Sequence, residues 1–178
     1  MVSEQPDIAA ALQASELSDP VQMVRHGIEA ARAQQWELGL ALLGEAYRRF
    51  SREPEAAVPP ATLSYYGLCL AMHRGRTKEA AEYCELALDR EFFRADFYWN
   101  LGQVWIRAGH RRKAVEAIER GLAVEPQNPR LTKLMETIGV RRQPVLSFLD
   151  RDNPLNVSLG KVRHSMARKK DPKPSSTR

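Results

Sequence analysis

The sequence predicts an all-α protein, a right-handed solenoid of antiparallel helix pairs with a basic C-terminal tail. Three observations support this prediction: helical periodicity along most of the chain, small residues that recur at fixed intervals, and capping residues where helices are expected to start. Recurrence of one spacing in three successive segments is typical of a repeat protein and not of an irregular helical bundle.

The recurring small residues define the period. Each of three segments has a glycine in its first helix and a small residue 12 or 13 positions later in its second: Gly27 and Gly39, Gly67 and Ala80, Gly102 and Ala114. Another small residue follows seven positions later each time: Ala46, Ala87 and Gly121. Seven residues are about two helical turns, so both small residues of a second helix face the same neighbour and allow close packing.

The third segment carries the fullest motif. It reads Tyr98-x-x-Leu101-Gly102-x-x-Trp105, with Ala114, Ile118 and Pro126 downstream. This resembles the tetratricopeptide repeat pattern W-x-x-L-G-x-x-Y…A-x-x-x-F…P. The resemblance implies three repeats at 20–53, 60–94 and 95–128, closed by a capping helix at 129–138. It also implies a non-enzymatic scaffold whose partner is a protein or peptide.

The helix boundaries follow from capping residues and prolines. Asp19 and Asn128 each precede a proline and are expected to cap a helix, Pro60 opens another, and Thr77 is expected to cap the second helix of repeat two. The expected helices lie near 20–34, 37–51, 60–74, 78–90, 95–108, 112–124 and 129–138. The extra residues between repeats one and two form a proline-rich loop.

The candidate binding surface is the inner, concave face formed by the first helices of the repeats. By helical phase, the partner-binding candidates are Arg32, Tyr65, Met72, Trp99, Asn100, Gln103 and Arg107. Arginine forms paired hydrogen bonds with carboxylates and tryptophan supplies contact area, so this set suits an extended peptide with an acidic element. The alternative is that Trp99 packs against the protein's own tail and the arginines are only solvated.

The sequence contains no catalytic or cofactor motif. The four histidines are dispersed, and there is no glycine-rich phosphate loop, no HExxH and no GxSxG. Cys69 and Cys84 lack metal-ligand spacing and are expected to be free buried thiols. We therefore expect no enzyme activity, no cofactor and no metal. Without an apolar run long enough to span a membrane, we expect a soluble, cytoplasmic protein of open oligomeric state.

Charge divides the chain into two parts. Residues 1–138 hold 17 Lys+Arg against 19 Asp+Glu, whereas residues 139–178 hold 10 against 3. The tail, 140–178, is expected to form a short amphipathic helix at 154–166 and to end in disorder; residues 1–19 form an N-terminal segment. The apolar candidates of the tail are Phe148, Leu155, Leu159 and Val162, which could dock on the repeats, lie on an anionic membrane surface or bind a partner's groove.

Two other functions stay open from the sequence. The basic tail suits a nucleic-acid or anionic-surface accessory protein, and basic turns at 74–78 and 110–113 would extend a cationic ridge toward nucleic acid. The simpler interpretation of such turns is that they are solvated. A secretion-type chaperone of similar repeat number is the second alternative.

Overall fold

Seven helices occupy the part of the chain that the computed structural model describes, residues 19–52 and 57–139. They are α1 Pro20–Arg32, α2 Trp36–Arg52, α3 Pro60–Cys69, α4 Thr77–Arg90, α5 Ala95–Arg107, α6 Arg111–Val124 and α7 Pro129–Ile138, and α3 continues into a π-helical turn, Leu70–Arg74. For the seven helices predicted between residues 20 and 138, each end lies within two residues of the observed end when the π-helical turn is counted with α3. The predicted tail helix at 154–166 lies outside the described residues.

The helices pair in chain order and stack. The hairpins α1–α2, α3–α4 and α5–α6 each pack internally, the first helices α1, α3 and α5 contact one another in succession, and α7 packs on α5 and α6. The described residues contain helices and no strand. The predicted all-α solenoid of antiparallel helix pairs is therefore confirmed.

Small residues allow neighbouring helices to lie close together, both within a hairpin and between hairpins. A Cβ added at Gly67 would lie 2.6 Å from the carbonyl oxygen of Ala80, and one added at Gly39 would lie 2.8 Å from Sγ of Cys69. Such distances are well inside van der Waals contact. The recurring small residues of the sequence are thus positions where one helix backbone meets its neighbour.

Each hairpin turns at a residue with a positive φ angle. These residues are Gln34 at 61°, Gly75 at 70° and Gly109 at 75°. The second hairpin reaches its turn one residue later than the others, which is why Gly67 precedes Ala80 by 13 residues and not 12. The π-helical turn Leu70–Arg74 accommodates that residue, because a π turn contains one more residue than an α turn.

Two of the three predicted caps are observed. Asp19 accepts a hydrogen bond from the backbone N–H of Val21 at 2.9 Å, and Asn128 accepts from Arg130 and Leu131. The prediction that Thr77 caps α4 is wrong. Helix α4 already begins at Thr77, and the preceding residue, Arg76, makes no side-chain capping bond.

The core runs along the stack. Helix α3 is the most enclosed element, with seven of its ten residues buried, because α1, α2, α4 and α5 all pack around it. A smaller apolar cluster of Ala95, Ile118, Leu131 and Leu134 joins α7 to the third hairpin. Within residues 19–52 and 57–139, no helix is both long and apolar enough to cross a bilayer.

Candidate functional site

A cleft of about 380 Å³ opens between the first hairpin and α7. Its walls come from the end of α1, the α1–α2 turn, the start of α2, α5 and α7. Its lining residues are Ala31, Arg32, Gln34, Trp36, Trp99, Gln103, Arg130, Lys133, Leu134 and Thr137. A volume of this size lies within the range of roughly 300–1,000 Å³ that is usual for ligand pockets. Two of the lining helices, α1 and α5, are first helices of repeats, so the cleft lies on the face that the first helices form.

One wall of the cleft is fixed by a chain of polar contacts across three repeats. Nε of Arg32 donates to the hydroxyl of Tyr65 at 3.3 Å, and that hydroxyl donates to Oδ2 of Asp96 at 3.2 Å. Arg94 in turn holds both carboxylate oxygens of Asp96, at 3.0 and 2.9 Å. The guanidinium of Arg32 also lies 5.7 Å from the centroid of the Tyr65 ring. The Arg32 side chain is therefore held in its position in the cleft by its contacts with Tyr65.

The opposite wall carries a second arginine on an aromatic ring. Cζ of Arg130 in α7 lies 3.9 Å from the centroid of the Trp99 ring in α5. A guanidinium stacked on a ring keeps its in-plane N–H groups available to an acceptor. Trp99 is only partly buried, so the stacked pair forms part of the open surface of the cleft.

The electrostatics of the cleft are positive. Three of its lining residues are cationic, Arg32, Arg130 and Lys133, and none is acidic. Neither Arg32 nor Arg130 is paired with a carboxylate among the described residues, whereas Arg94 is held by Asp96 and Glu91. Burial raises the pKa of the Tyr65 hydroxyl, as does Asp96, while Arg32 and Arg130 both act to lower that pKa. Both arginines therefore act on the hydroxyl of Tyr65, which is buried and is not part of the cleft lining.

The structure brings three of the predicted partner-binding residues together. Arg32, Trp99 and Gln103 line the cleft. Tyr65 is 1% exposed and lies beneath Arg32, from which its hydroxyl accepts a hydrogen bond. Met72 packs against the hydrophobic core, and Arg107, although exposed at the end of α5, is not part of the lining.

Asn100 is placed inside the protein. Its side chain is 0% exposed, and Nδ2 donates to Oγ of Ser64 at 3.0 Å, which joins α5 to α3. Its Oδ1 has no hydrogen-bond partner in the described part of the chain. Asn100 is therefore a buried contact between repeats and lies away from the surface that a partner could reach.

The sequence pattern missed the contribution of α7. Arg130, Lys133 and Thr137 line the cleft, although this helix was expected to be only a solvating cap. The signal was present in the period: a shift of 34 residues carries Asp96, Trp99 and Gln103 onto these three positions. Helix α7 occupies the place of a further first helix and supplies the residues that such a helix would.

Several other predicted features can be placed or set aside. Cys69 and Cys84 are free and buried, as predicted. In residues 19–52 and 57–139, no group of three or more His, Cys, Asp or Glu side chains is arranged to hold a metal ion. The tail candidates Phe148, Leu155, Leu159 and Val162 lie outside the described residues.

Comparison with solved structures identifies the fold. The TPR domain of Sgt2 from Aspergillus fumigatus superposes with a TM-score of 0.55 at 17% identity, covering 90% of this chain and 89% of that domain. The first TPR domain of human RPAP3 gives 0.54 at 15% identity, covering 67% and 89%. MamA from Desulfovibrio magneticus RS-1 gives 0.55 at 14% identity, covering 93% and 84%.

These likenesses, all at low identity, show that the chain has the tetratricopeptide repeat fold. No protein-family model matches the chain, and no curated protein matches it by sequence.

Proposed function

We propose that the protein is a non-enzymatic interaction module that binds an acidic segment of a partner protein in the cleft between the first hairpin and α7. The observation that carries the proposal is the pair of arginines, Arg32 and Arg130. Arg32 is hydrogen-bonded to the Tyr65 hydroxyl, Arg130 lies over the Trp99 ring, and neither is paired with a carboxylate within residues 19–52 and 57–139. Fixed guanidinium groups without an internal counter-charge favour an anionic ligand with a planar, two-oxygen acceptor.

The apolar lining supports a mixed ligand. Trp36, Trp99 and Leu134 lie among the polar groups of the cleft. Their surface favours an apolar side chain beside the acidic ones, because contact with large aromatic residues usually carries much of the binding energy. The preferred ligand is therefore a short peptide in which one aromatic or aliphatic residue is flanked by Asp or Glu.

The fold is consistent with this use. Stacked helical repeats of this kind commonly present an extended surface to a partner segment. Fold alone does not define function, so the proposal depends on the cleft and not on the neighbours. Arg107 and Met72, which do not line the cleft, are left out of the proposed contact set.

The test uses the full chain and an array of short peptides that differ in charge around one central phenylalanine. Acidic peptides should bind and basic ones should not. The variant Arg32→Gln/Arg130→Gln should weaken binding of the acidic peptides by at least about tenfold, since each arginine supplies a charged hydrogen bond.

The matched control is Arg25→Gln/Arg52→Gln, which removes the same charge from exposed sites outside the cleft. It should bind like the wild type. Equal loss in both variants would show that only net charge matters, and the proposed cleft would then be wrong. Melting curves of each variant verify that folding is unchanged.

A further inference from the structure

The turns inside the second and third hairpins form a cationic edge, which we define as residues 73–79 and 106–113. Antiparallel pairing places these turns on the same edge of the stack, and the π-helical turn of repeat two contacts α5 of repeat three. The edge carries seven cations: Arg74, Arg76, Lys78, Arg107, Arg111, Arg112 and Lys113. Its one acidic residue is Glu79.

Charge is strongly segregated onto this edge. Its 15 residues hold 7 of the 17 Lys+Arg in residues 1–138 but only 1 of the 19 Asp+Glu. The remainder of that part of the chain is consequently acidic, with 10 cations and 18 carboxylates. The corresponding turn of repeat one, residues 32–38, holds one cation, Arg32, and one carboxylate, Glu37, so the concentration of positive charge belongs to repeats two and three.

The cations at the start of α6 lie where a helix disfavours positive charge. Arg111, Arg112 and Lys113 occupy its first turn, which contains no acidic residue, and His110 makes no side-chain capping bond. The N-terminus of a helix carries partial positive charge, so three cations there are unfavourable for folding. A local arrangement that opposes stability is expected at a functional surface.

Several of these side chains are available to a ligand. Arg74, Lys78, Arg107 and Arg112 are exposed and form no ion pair within the described ranges. The others have intramolecular contacts: Arg76 pairs with Glu79, Arg111 donates to the carbonyl of Gly139, and Nζ of Lys113 lies 4.2 Å from the Trp105 ring centroid.

We propose that the cationic edge binds the phosphate backbone of a nucleic acid without reading its sequence. Arginine-rich surfaces bind phosphates through paired hydrogen bonds and through release of condensed counterions. Packed helices lie about 8–10 Å apart, so two neighbouring turns can reach more than one phosphate of the same strand. This surface is distinct from the cleft of the proposed function.

A nucleic acid fits this edge better than an anionic membrane does. Membrane binding by a basic surface also needs apolar side chains that enter the lipid. The most exposed large apolar residues are instead at the opposite edge, in the turn from α4 to α5 and at the start of α1: Phe92 at 67%, Val21 at 60% and Phe93 at 59%. The cationic edge has only Ile106, at 37%.

The experiment measures binding of a short fluorescent DNA duplex to the full chain between about 50 and about 200 mM salt. The variant Arg74→Gln/Arg112→Gln should bind more weakly, and the slope of log affinity against log salt should become shallower by about 1.8, at about 0.9 for each lost phosphate contact. The control, Arg25→Gln/Arg52→Gln, should keep the wild-type slope because both residues lie away from this edge.

Three outcomes would overturn the proposal. In the first, the full chain does not bind DNA. In the second, both variants keep the wild-type slope, which would assign the binding to another basic region such as 140–178. In the third, vesicles containing phosphatidylserine bind more tightly than DNA does and with the same dependence on Arg74 and Arg112. Acidic-peptide binding by Arg74→Gln/Arg112→Gln tests the cleft separately, since neither residue lines it.

Discussion

At the scale of single residues, the two cysteines act as packing partners of glycines. Cys69 lies against Gly39, where an added Cβ would be 2.8 Å from its sulfur, and Cys84 lies 3.1 Å from the same point at Gly67. The Cys84 thiol also donates to the backbone carbonyl of Ser64 at 3.4 Å. Burial raises the pKa of Cys69 from an ordinary value of 9.0 to about 12, and it raises the pKa of Cys84 as well.

The raised thiol pKa values predict a loss of stability in alkali. Below pH 9.0 the Cys69 thiol is protonated in both states; between 9.0 and about 12 the unfolded state loses its proton while the folded state keeps it. The free energy of unfolding should therefore fall as pH rises through this window. Urea denaturation at about pH 8 and about pH 10 measures the effect.

The control for this prediction is Cys69→Ala. Tyr83, whose pKa is also raised to about 12 mainly by burial, contributes in the same direction and is retained in the variant. The variant should lose less stability between the two pH values than the wild type. Equal losses would contradict a buried, protonated Cys69. In the native wild type at neutral pH, both thiols should also react with a thiol reagent far more slowly than after unfolding.

The residue scale also shows where sequence analysis was limited. Helical phase, which depends only on position within a helix, placed Arg32, Trp99 and Gln103 on one face, and all three line the cleft. It could not show that Tyr65 and Asn100 are covered, since the groups that bury them come from other repeats. Burial of a polar residue on such a face depends on the neighbouring hairpin.

At the scale of elements, helix ends were predictable because prolines and capping residues act locally. Asp19, Pro60 and Asn128 are at helix starts, as the sequence indicates. The π-helical turn was not predictable from residue types, although the spacing of 13 between Gly67 and Ala80 recorded the additional residue. The 34-residue period places Arg130, Lys133 and Thr137 of α7 at the positions of cleft-facing residues. Interpreting α7 only as a capping helix left this role out of the prediction.

The close approach of Gly67 to the Ala80 backbone gives a prediction for α3 and α4. Gly67→Ala should destabilise the protein by about 1–3 kcal/mol, because the added Cβ would lie 2.6 Å from a backbone oxygen that cannot rotate away. This cost exceeds the gain of roughly 0.5–1 kcal/mol from replacing a helical glycine by alanine. Thermal or urea denaturation measures the change.

Gly44→Ala in α2 is the matched control. The nearest atom to its added Cβ is Cε2 of Tyr66 at 3.3 Å, on a half-buried side chain that can shift. Gly44→Ala should therefore be close to neutral or slightly stabilising. If Gly67→Ala melts at or above the wild-type temperature, the close approach of α3 to α4 is wrong.

At the scale of the whole molecule, the described residues present two separate positive surfaces. The cleft combines Arg32, Arg130 and Lys133 with tryptophan and leucine, which suits an acidic peptide with an apolar residue. The cationic edge is made of turns, and its cations are mostly exposed. The sequence indicated both the face and the basic turns, but only the stacking shows that residues far apart in the chain, such as Arg32 and Arg130, share one cleft.

The three tryptophans test the central proposal in one spectrum. Trp36 and Trp99 line the cleft, whereas Trp105 is 8% exposed beside Lys113 and His110 on the cationic edge. In a ¹⁵N–¹H correlation spectrum of the full chain, an acidic peptide with one phenylalanine should shift the indole signals of Trp36 and Trp99 and leave that of Trp105 unchanged. If the peptide binds and the Trp36 and Trp99 signals do not move, the cleft is not the binding site.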